Sequence, residues 1–158
     1  MRAFIFRLAG CIRHLLTCAA FAALAACAVL LSSGGSSPEP VTYDQICSQA
    51  DGKLVQTEGY FAADRSVFCS NIGSNDVRCG LGFAAVPGQK AGFTADVAEG
   101  TGRSQVEPIA DDFAPEAIVF HAADGGEVHV GDKVIITGKL SVAPNVCFIR
   151  VDTITKAQ

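Results

Sequence analysis

Residues 131–154 read GDKVIITGKLSVAPNVCFIRVDTI, and this stretch decides the fold. Gly131-Asp132 is a turn signal, and a strand with an apolar centre follows over residues 133–140, with Gly138 near its end. Ala143-Pro144-Asn145 marks a second turn, and residues 146–155 form another strand. Two adjoining strands of this kind predict the end of a small β-barrel.

Upstream of this stretch, the chain alternates short strands with turn signals and offers one short helix. Thr42 and Gln45 have capping-box spacing, which predicts a helix over residues 42–50 that Gly52 ends. Gly59 lies inside the first strand and predicts a bulge or a sharp bend there. Residues 89–115 give no clear pattern. The predicted strands before residue 131 cover 53–62, 66–70, 77–86, 93–97, 117–122 and 127–130. The fold class is therefore all-β, a small closed barrel with a short N-terminal helix.

Three segments resemble the strands of an OB-fold. Residues 53–60, KLVQTEGY, resemble its bent first strand, residues 131–140 resemble its "GD-V-V-GK" strand, and residues 148–151 are similar to its closing strand. Such domains include tRNA-anticodon-binding-like modules and exported bacterial OB proteins. The resemblance covers about residues 53–156 and implies a five-stranded barrel, while the third strand and the usual inter-strand helix are not placed. OB-folds host many functions, so the resemblance leaves the function open.

The first 40 residues read as an export signal followed by a tether. Three arginines precede residue 14, and residues 15–31 are apolar except for Thr17, which is the pattern of a secretory signal. Leu24-Ala25-Ala26-Cys27 resembles a lipobox, so residues 1–27 are interpreted as a lipoprotein signal with Cys27 as the lipidated residue. Two alternatives are an uncleaved membrane anchor over residues 15–31 and ordinary cleavage near Ser33 or Gly34.

Lipidation at Cys27 or an uncleaved anchor would each tether the folded part to a membrane, on the periplasmic or cell-surface side. Residues 28–40 contain SSGGSSPEP, a flexible linker with a stiffer end. Residues 41–158 then form a single domain with its own core.

The charge balance argues against nucleic acid as a ligand. The chain has 12 Lys and Arg against 16 Asp and Glu, and the three arginines of the signal leave the exported part near −7. Nucleic-acid binding derives most of its affinity from basic contacts to phosphates. An extracytoplasmic binder of single-stranded nucleic acid is therefore the weakest functional alternative.

Four cysteines lie beyond the signal, an even number that predicts two disulfides in an exported domain. Cys69 and Cys79 flank a turn-rich segment and are expected to pair with each other, which leaves Cys47 to pair with Cys147. The pairing of Cys47 with Cys79 and of Cys69 with Cys147 is a competing arrangement. Zinc is disfavoured because no two of these cysteines form a C-x-x-C pair.

The strand over residues 77–86 supplies the candidate ligand face. Its outward positions include Arg78, Gly80 and Gly82, so the face is nearly bare of side chains. OB barrels bind ligands across the second and third strands and the adjacent loops, so these three residues are predicted to face a ligand. Alternatively, the glycines only relieve the curvature of a small barrel.

His121 and His129 are the one candidate metal pair. They become cross-strand neighbours if residues 122–128 form a hairpin, and Asp124 or Glu127 would complete a site. The alternative is two polar residues near a turn. No nucleophile–base motif is present, so the sequence favours a non-catalytic, membrane-tethered binding or assembly module without a cofactor. Its ligand is a small molecule or a protein, and a small metal-binding protein or metal-dependent enzyme is the alternative.

Overall fold

The computed structural model describes residues 37–63, 67–71 and 76–157. The predicted signal, Cys27 and the anchor segment lie outside these residues. Two 3-10 helices are described, η1 (Tyr43–Ser48) and η2 (Pro115–Ala117). The described strands, in chain order, are β1 (Glu39–Pro40), β2 (Leu54–Ala62), β3 (Phe68–Ser70), β4 (Arg78–Ala84), β5 (Phe93–Glu99), β6 (Gln105–Val106), β7 (Val119–His121), β8 (Glu127–His129), β9 (Lys133–Ala143) and β10 (Val146–Lys156).

Five of these strands close into a barrel with OB-like topology. Around the barrel, β2 pairs with β4, β4 with β5, β5 with β10, β10 with β9, and β9 returns to β2. The β5–β10 pair is parallel and the other four are antiparallel. The predicted fold class, a small five-stranded barrel, is thereby confirmed. The predicted strand over residues 93–97 forms as β5, and it takes the place of the third barrel strand, which the sequence had not assigned.

The first barrel strand changes partner at the predicted bend. Residues 54–60 of β2 pair with β9, and residues 60–62 pair with β4. Gly59 lies at this transition, where an added Cβ would lie 2.5 Å from the Phe83 ring and 2.6 Å from the Ala84 carbonyl oxygen. Glycine is required here because the neighbouring strand crosses so closely. The strand β3 continues along β4 beyond the interruption, as its pairing of Phe68 with Gly80 indicates.

Gly138, the glycine of the fold-deciding stretch, lies between two strands. It pairs with Val55 on β2 and with Val151 on β10. The carbonyl oxygen of Arg150 occupies the space that a Cβ at this position would need. The register of β10 shifts between Val151 and Thr153, which is a β-bulge. The missing side chain therefore allows β10 to bend closely over β9 where the barrel closes.

The predicted N-terminal helix is a 3-10 helix, and the capping-box prediction is wrong. Thr42 is its N-cap residue but makes no side-chain cap hydrogen bond. Burial rather than capping holds the helix, because Ile46 is fully buried and Tyr43 packs on Phe83 and Phe93. The Tyr43 hydroxyl donates to the Phe83 carbonyl oxygen at 3.0 Å and accepts from the Gly92 amide at 2.8 Å.

Between β5 and β9, strands and η2 take the place that a helix has in many OB barrels. The parallel pair β5–β6, then β6–β7 and β7–β8, extend the sheet away from the barrel. Phe120 of β7 stacks on Phe61 of β2 with ring centroids 4.0 Å apart, and both are buried. Val106 and Val128 are also fully buried, so this segment extends the hydrophobic core.

The two disulfides have the predicted connectivity. Cys69 and Cys79 are directly opposite each other on β3 and β4, and their sulfurs are bonded. Cys47 of η1 is bonded to Cys147 of β10, 100 residues later. The first bridge staples a three-residue edge strand to the barrel, and the second joins η1 to the last strand. Both are consistent with an oxidising compartment.

Candidate functional site

An open groove of about 1350 Å³ runs over the outer face of the barrel. Its floor is formed by outward positions of β4, β5 and β10, and its two walls come from different parts of the chain. One wall is the segment that carries β3, and the other is the β9–β10 hairpin with its turn at Pro144-Asn145. In OB terms, these are the second and third strands flanked by the first and last inter-strand loops, where this fold binds ligands.

The two glycines predicted to face a ligand both line the groove, but they differ in what covers them. An added Cβ at Gly80 would lie 3.3 Å from the Thr94 methyl group and 3.8 Å from the Phe68 carbonyl oxygen, so this position is less crowded but still close to its neighbours. At Gly82, an added Cβ would be 2.8 Å from both the Ala62 carbonyl oxygen and the Ala91 methyl group. Gly82 therefore serves close packing of the chain, and Gly80 leaves the floor shallow.

Arg78 lines the groove, but its guanidinium is already engaged by the protein. Its Nε donates to Asp96 Oδ2 at 2.8 Å, and one terminal nitrogen donates to the carbonyl oxygens of Asp96 and Val151. These contacts join β4, β5 and β10 on the outer face, and the Arg78 side chain is only 16% exposed. Arg78 thus fixes the floor of the groove, and its charge is matched by Asp96.

The groove also brings together four residues that the sequence analysis did not single out. Phe68 is 71% exposed on β3, and Phe148 lies half-buried on β10. Lys139 and Arg150 are directly opposite each other on β9 and β10, and both are exposed. The pairing of Lys139 with Arg150 could have been found from the sequence, because the two residues are equally distant from the centre of the Pro144-Asn145 turn. In a two-residue hairpin, such positions are cross-strand partners.

Both disulfides border this groove. The Cys69–Cys79 bond holds β3, and with it the exposed ring of Phe68, against β4. A carboxylate oxygen of Glu99 lies 3.8 Å from the Cys79 sulfur. The Cys47–Cys147 bond lies at the opposite wall, next to Phe148. Covalent bonds therefore fix the positions of the two aromatic residues relative to the floor.

The histidines lie away from the groove, on the predicted hairpin. The hairpin forms as β7 and β8, but His121 is opposite Glu127, and His129 is opposite Val119, so the two histidines are diagonal neighbours. His121 Nε2 is 3.0 Å from Glu107 Oε1. Among the described residues, the sole group of three His, Cys, Asp or Glu ligand atoms within 4.8 Å of one another is Cys69, Cys79 and Glu99, and its two sulfurs are bonded to each other.

Asp132, in the turn after His129, lies beside groups that lower the pKa of its carboxyl group. The backbone N–H of His129 donates to its carboxylate at 3.1 Å. This hydrogen bond lowers the pKa of Asp132, desolvation opposes the effect, and the nearby Lys156 ammonium lowers the pKa further. Lys156 Nζ lies 3.4 Å from the same carboxylate. The arrangement stabilises the turn that leads into β9.

Within the described ranges, no helix has the length and apolar character needed to cross a membrane. No protein-family model, no curated protein and no solved structure matches this chain. The OB-like assignment rests on strand order, on pairing direction and on the division of the first strand between two partners.

Proposed function

We propose that the protein is a membrane-tethered, extracytoplasmic binding or assembly module that holds its ligand in the groove over β4, β5 and β10. One observation carries the proposal. An open groove with two disulfide-supported walls lies at the place where OB barrels bind ligands. The exposed ring of Phe68 at its edge supports the same interpretation, because large exposed aromatic residues are common at binding surfaces.

The side chains of the groove favour binding over catalysis. No histidine is among the described residues that line it, and its two cysteines, Cys47 and Cys147, are bonded to each other. The Arg78–Asp96 pair is held in hydrogen bonds within the barrel. Nucleophilic catalysis needs a nucleophile activated by an adjacent base, and no hydrogen bond between described residues joins a hydroxyl of the lining to a carboxylate or a histidine.

The sequence supports the proposed tether, and the disulfides support the proposed location. Cys27, within the apolar segment over residues 15–31, is proposed to carry lipid, and the disulfides are consistent with an oxidising location outside the cytoplasm. Intact-mass measurement of the mature chain tests the anchor. A mass that begins at Cys27 and includes acyl chains is expected, and a mass that still contains residues 1–26 would rule out the lipid anchor.

Site-specific photo-crosslinking tests the groove in the anchored, full-length chain. A photoreactive phenylalanine analogue is placed at Phe68 or at Val146 on the groove, and at Glu116 on η2 as an exposed control outside it. Specific adducts are expected at the two groove positions and not at Glu116. Adducts formed equally at all three positions, or at Glu116 alone, would contradict a ligand site in the groove.

A further inference from the structure

Two cations of the groove have no partner within the described part of the chain. Lys139 and Arg150 are cross-strand neighbours, and neither has a carboxylate within 4 Å among the described residues. Like charges directly opposite on antiparallel strands destabilise a sheet. Among the other described Lys and Arg side chains, four have a carboxylate within that distance, Lys53, Arg78, Lys133 and Lys156, while the isolated Lys90 and Arg103 do not.

Two neighbouring cations without a described carboxylate partner are unexpected in a domain with an excess of acidic residues. Acidic residues outnumber basic ones beyond the signal, yet none of the described ones lies within 4 Å of the charged groups of Lys139 and Arg150. An anionic group of a ligand would relieve the repulsion between the two cations and complete their hydrogen bonds. Arginine and lysine together suit a carboxylate, since the guanidinium makes two parallel hydrogen bonds and the ammonium adds a point charge.

The residues beside the cation pair indicate what chemical groups the ligand carries next to its carboxylate. Phe148 lies two residues from Arg150 on the same outer face, and Ser141 is directly opposite Phe148. Thr94 follows on β5, also opposite Phe148. The hydroxyls of Ser141 and Thr94 make no hydrogen bond with other described residues. An aromatic surface beside free hydroxyls and two cations suits a hydroxyl-rich ring that carries a carboxylate.

Two other ligand classes fit less well. The floor cannot accept an added peptide strand, because Gly80 on β4 already pairs with Phe68 on one side and Asp96 on the other. A densely charged polyanion is opposed by the acid excess of the domain. A ligand with isolated carboxylates on an otherwise uncharged chain meets neither obstacle.

We infer that the groove binds an acidic oligosaccharide of the uronic-acid type, with a sugar carboxylate on Lys139 and Arg150 and a sugar ring on Phe148. The inference rests on the proposed function of the groove and specifies its ligand class.

Titration calorimetry with the full-length chain in detergent micelles tests the inference. The probes are a short neutral oligosaccharide that carries a single uronic-acid residue and the methyl ester of the same molecule, which keeps the sugar rings and removes the charge. The acid form is expected to bind more tightly than the ester, with an affinity that falls as salt is raised. Arg150→Gln should weaken binding of the acid form by about tenfold or more, and Lys139→Gln by less, because the charge-assisted hydrogen bonds are lost.

Matched controls separate local effects from net charge. Arg103 and Lys90 are exposed bases that do not line the groove, so Arg103→Gln and Lys90→Gln change the charge equally and should leave binding unchanged. Thermal unfolding of each variant checks the fold. Equal binding of acid and ester overturns the anionic assignment while leaving the groove as a binding site. No binding of the acid, or binding unaffected by Arg150→Gln, overturns the inference, whereas crosslinking at Phe68 reports separately on the groove.

Discussion

The carbonyl oxygen of Arg150 occupies the position that a side chain at Gly138 would need. The substitution Gly138→Ala should therefore push β9 away from β10 at the point where the barrel closes. We expect it to lower the free energy of unfolding by about 1–3 kcal/mol, as overpacking of a core does. Denaturant titration of the purified chain measures the change.

Gly80→Ala is the matched control for this effect. The added methyl group would meet the Thr94 methyl at 3.3 Å and the Phe68 carbonyl oxygen at 3.8 Å. Because the nearer contact is with a side chain that can shift slightly, the change in unfolding free energy should stay below about 1 kcal/mol. If both variants lost the same stability, the close approach of Arg150 would not be the cause.

The two disulfides should contribute unequally to stability. In the chain-entropy account, a loop of about 100 residues is worth about 4.7 kcal/mol and a loop of about 15 residues about 3 kcal/mol. The Cys47–Cys147 bridge spans 100 residues and the Cys69–Cys79 bridge spans 10. Replacing Cys47 and Cys147 by alanine should thus lower the unfolding midpoint more than replacing Cys69 and Cys79. A larger loss from the short bridge would show that the position of β3 matters more than loop length.

Thr57 is a polar residue whose replacement should stabilise the protein. Its side chain is buried in the barrel, 3% exposed, and its hydroxyl oxygen has no hydrogen-bond partner. Thr57→Val keeps the shape and removes the unsatisfied hydroxyl, so the unfolding free energy should rise by about 1 kcal/mol. Thr57→Ser keeps the hydroxyl and loses a methyl group, and it should lower stability by about 1 kcal/mol. A destabilised Thr57→Val would indicate that the hydroxyl has a partner, such as a buried water.

Asp132 should contribute stability that acid removes. Its pKa is lowered in the folded protein by the His129 amide and, further, by Lys156, against the opposing effect of desolvation. A group whose folded pKa is depressed stabilises the fold above its unfolded pKa, and the contribution disappears as pH falls through the folded pKa. The difference in melting temperature between the native chain and Asp132→Asn should accordingly shrink between about pH 5 and pH 2. Asp111→Asn, at an exposed position, is the control, and a pH-independent difference for Asp132→Asn would refute the assignment.

The histidine pair should not hold a metal on its own. His121 contacts Glu107, and His129 lies diagonally across the hairpin from it, so a three-ligand site is not assembled among the described residues. Elemental analysis of the purified chain, after incubation with zinc and desalting, should find no stoichiometric metal. One equivalent of zinc that is lost in His129→Ala would instead favour the metal-binding alternative.

The barrel could be predicted from the sequence because its long strands have strong local signals. The turn at Pro144-Asn145 fixes the register of β9 and β10, and Gly59 marks the place where β2 changes partner. The hairpin of β7 and β8 could also be predicted. The strand β6 could not, since it has two residues and its pairing depends on contacts far along the chain. Phe120 illustrates this, because its stacking on Phe61 joins residues that no local pattern relates.

The sequence could place Arg78, Gly80 and Gly82 on the outer face that the groove covers, but it could not give their contacts. The outward position of Arg78 follows from strand alternation. Its hydrogen bonds to Asp96 and to the Val151 carbonyl oxygen depend on how β5 and β10 lie beside β4. The glycines were identified as a bare face, but only the neighbouring Ala62 and Ala91 reveal that Gly82 is covered. The local sequence pattern does not predict such contacts, because they are made by segments that are distant in sequence.

The bond between Cys47 and Cys147 also determines how mechanical load would travel through the molecule. Tension applied to the N-terminal end of the domain reaches η1 soon after β1, and the bridge passes it to the start of β10. That point lies one residue from Phe148 in the groove wall. Under the proposed tether and the proposed ligand site, a pull between the two would reach the groove wall through this disulfide.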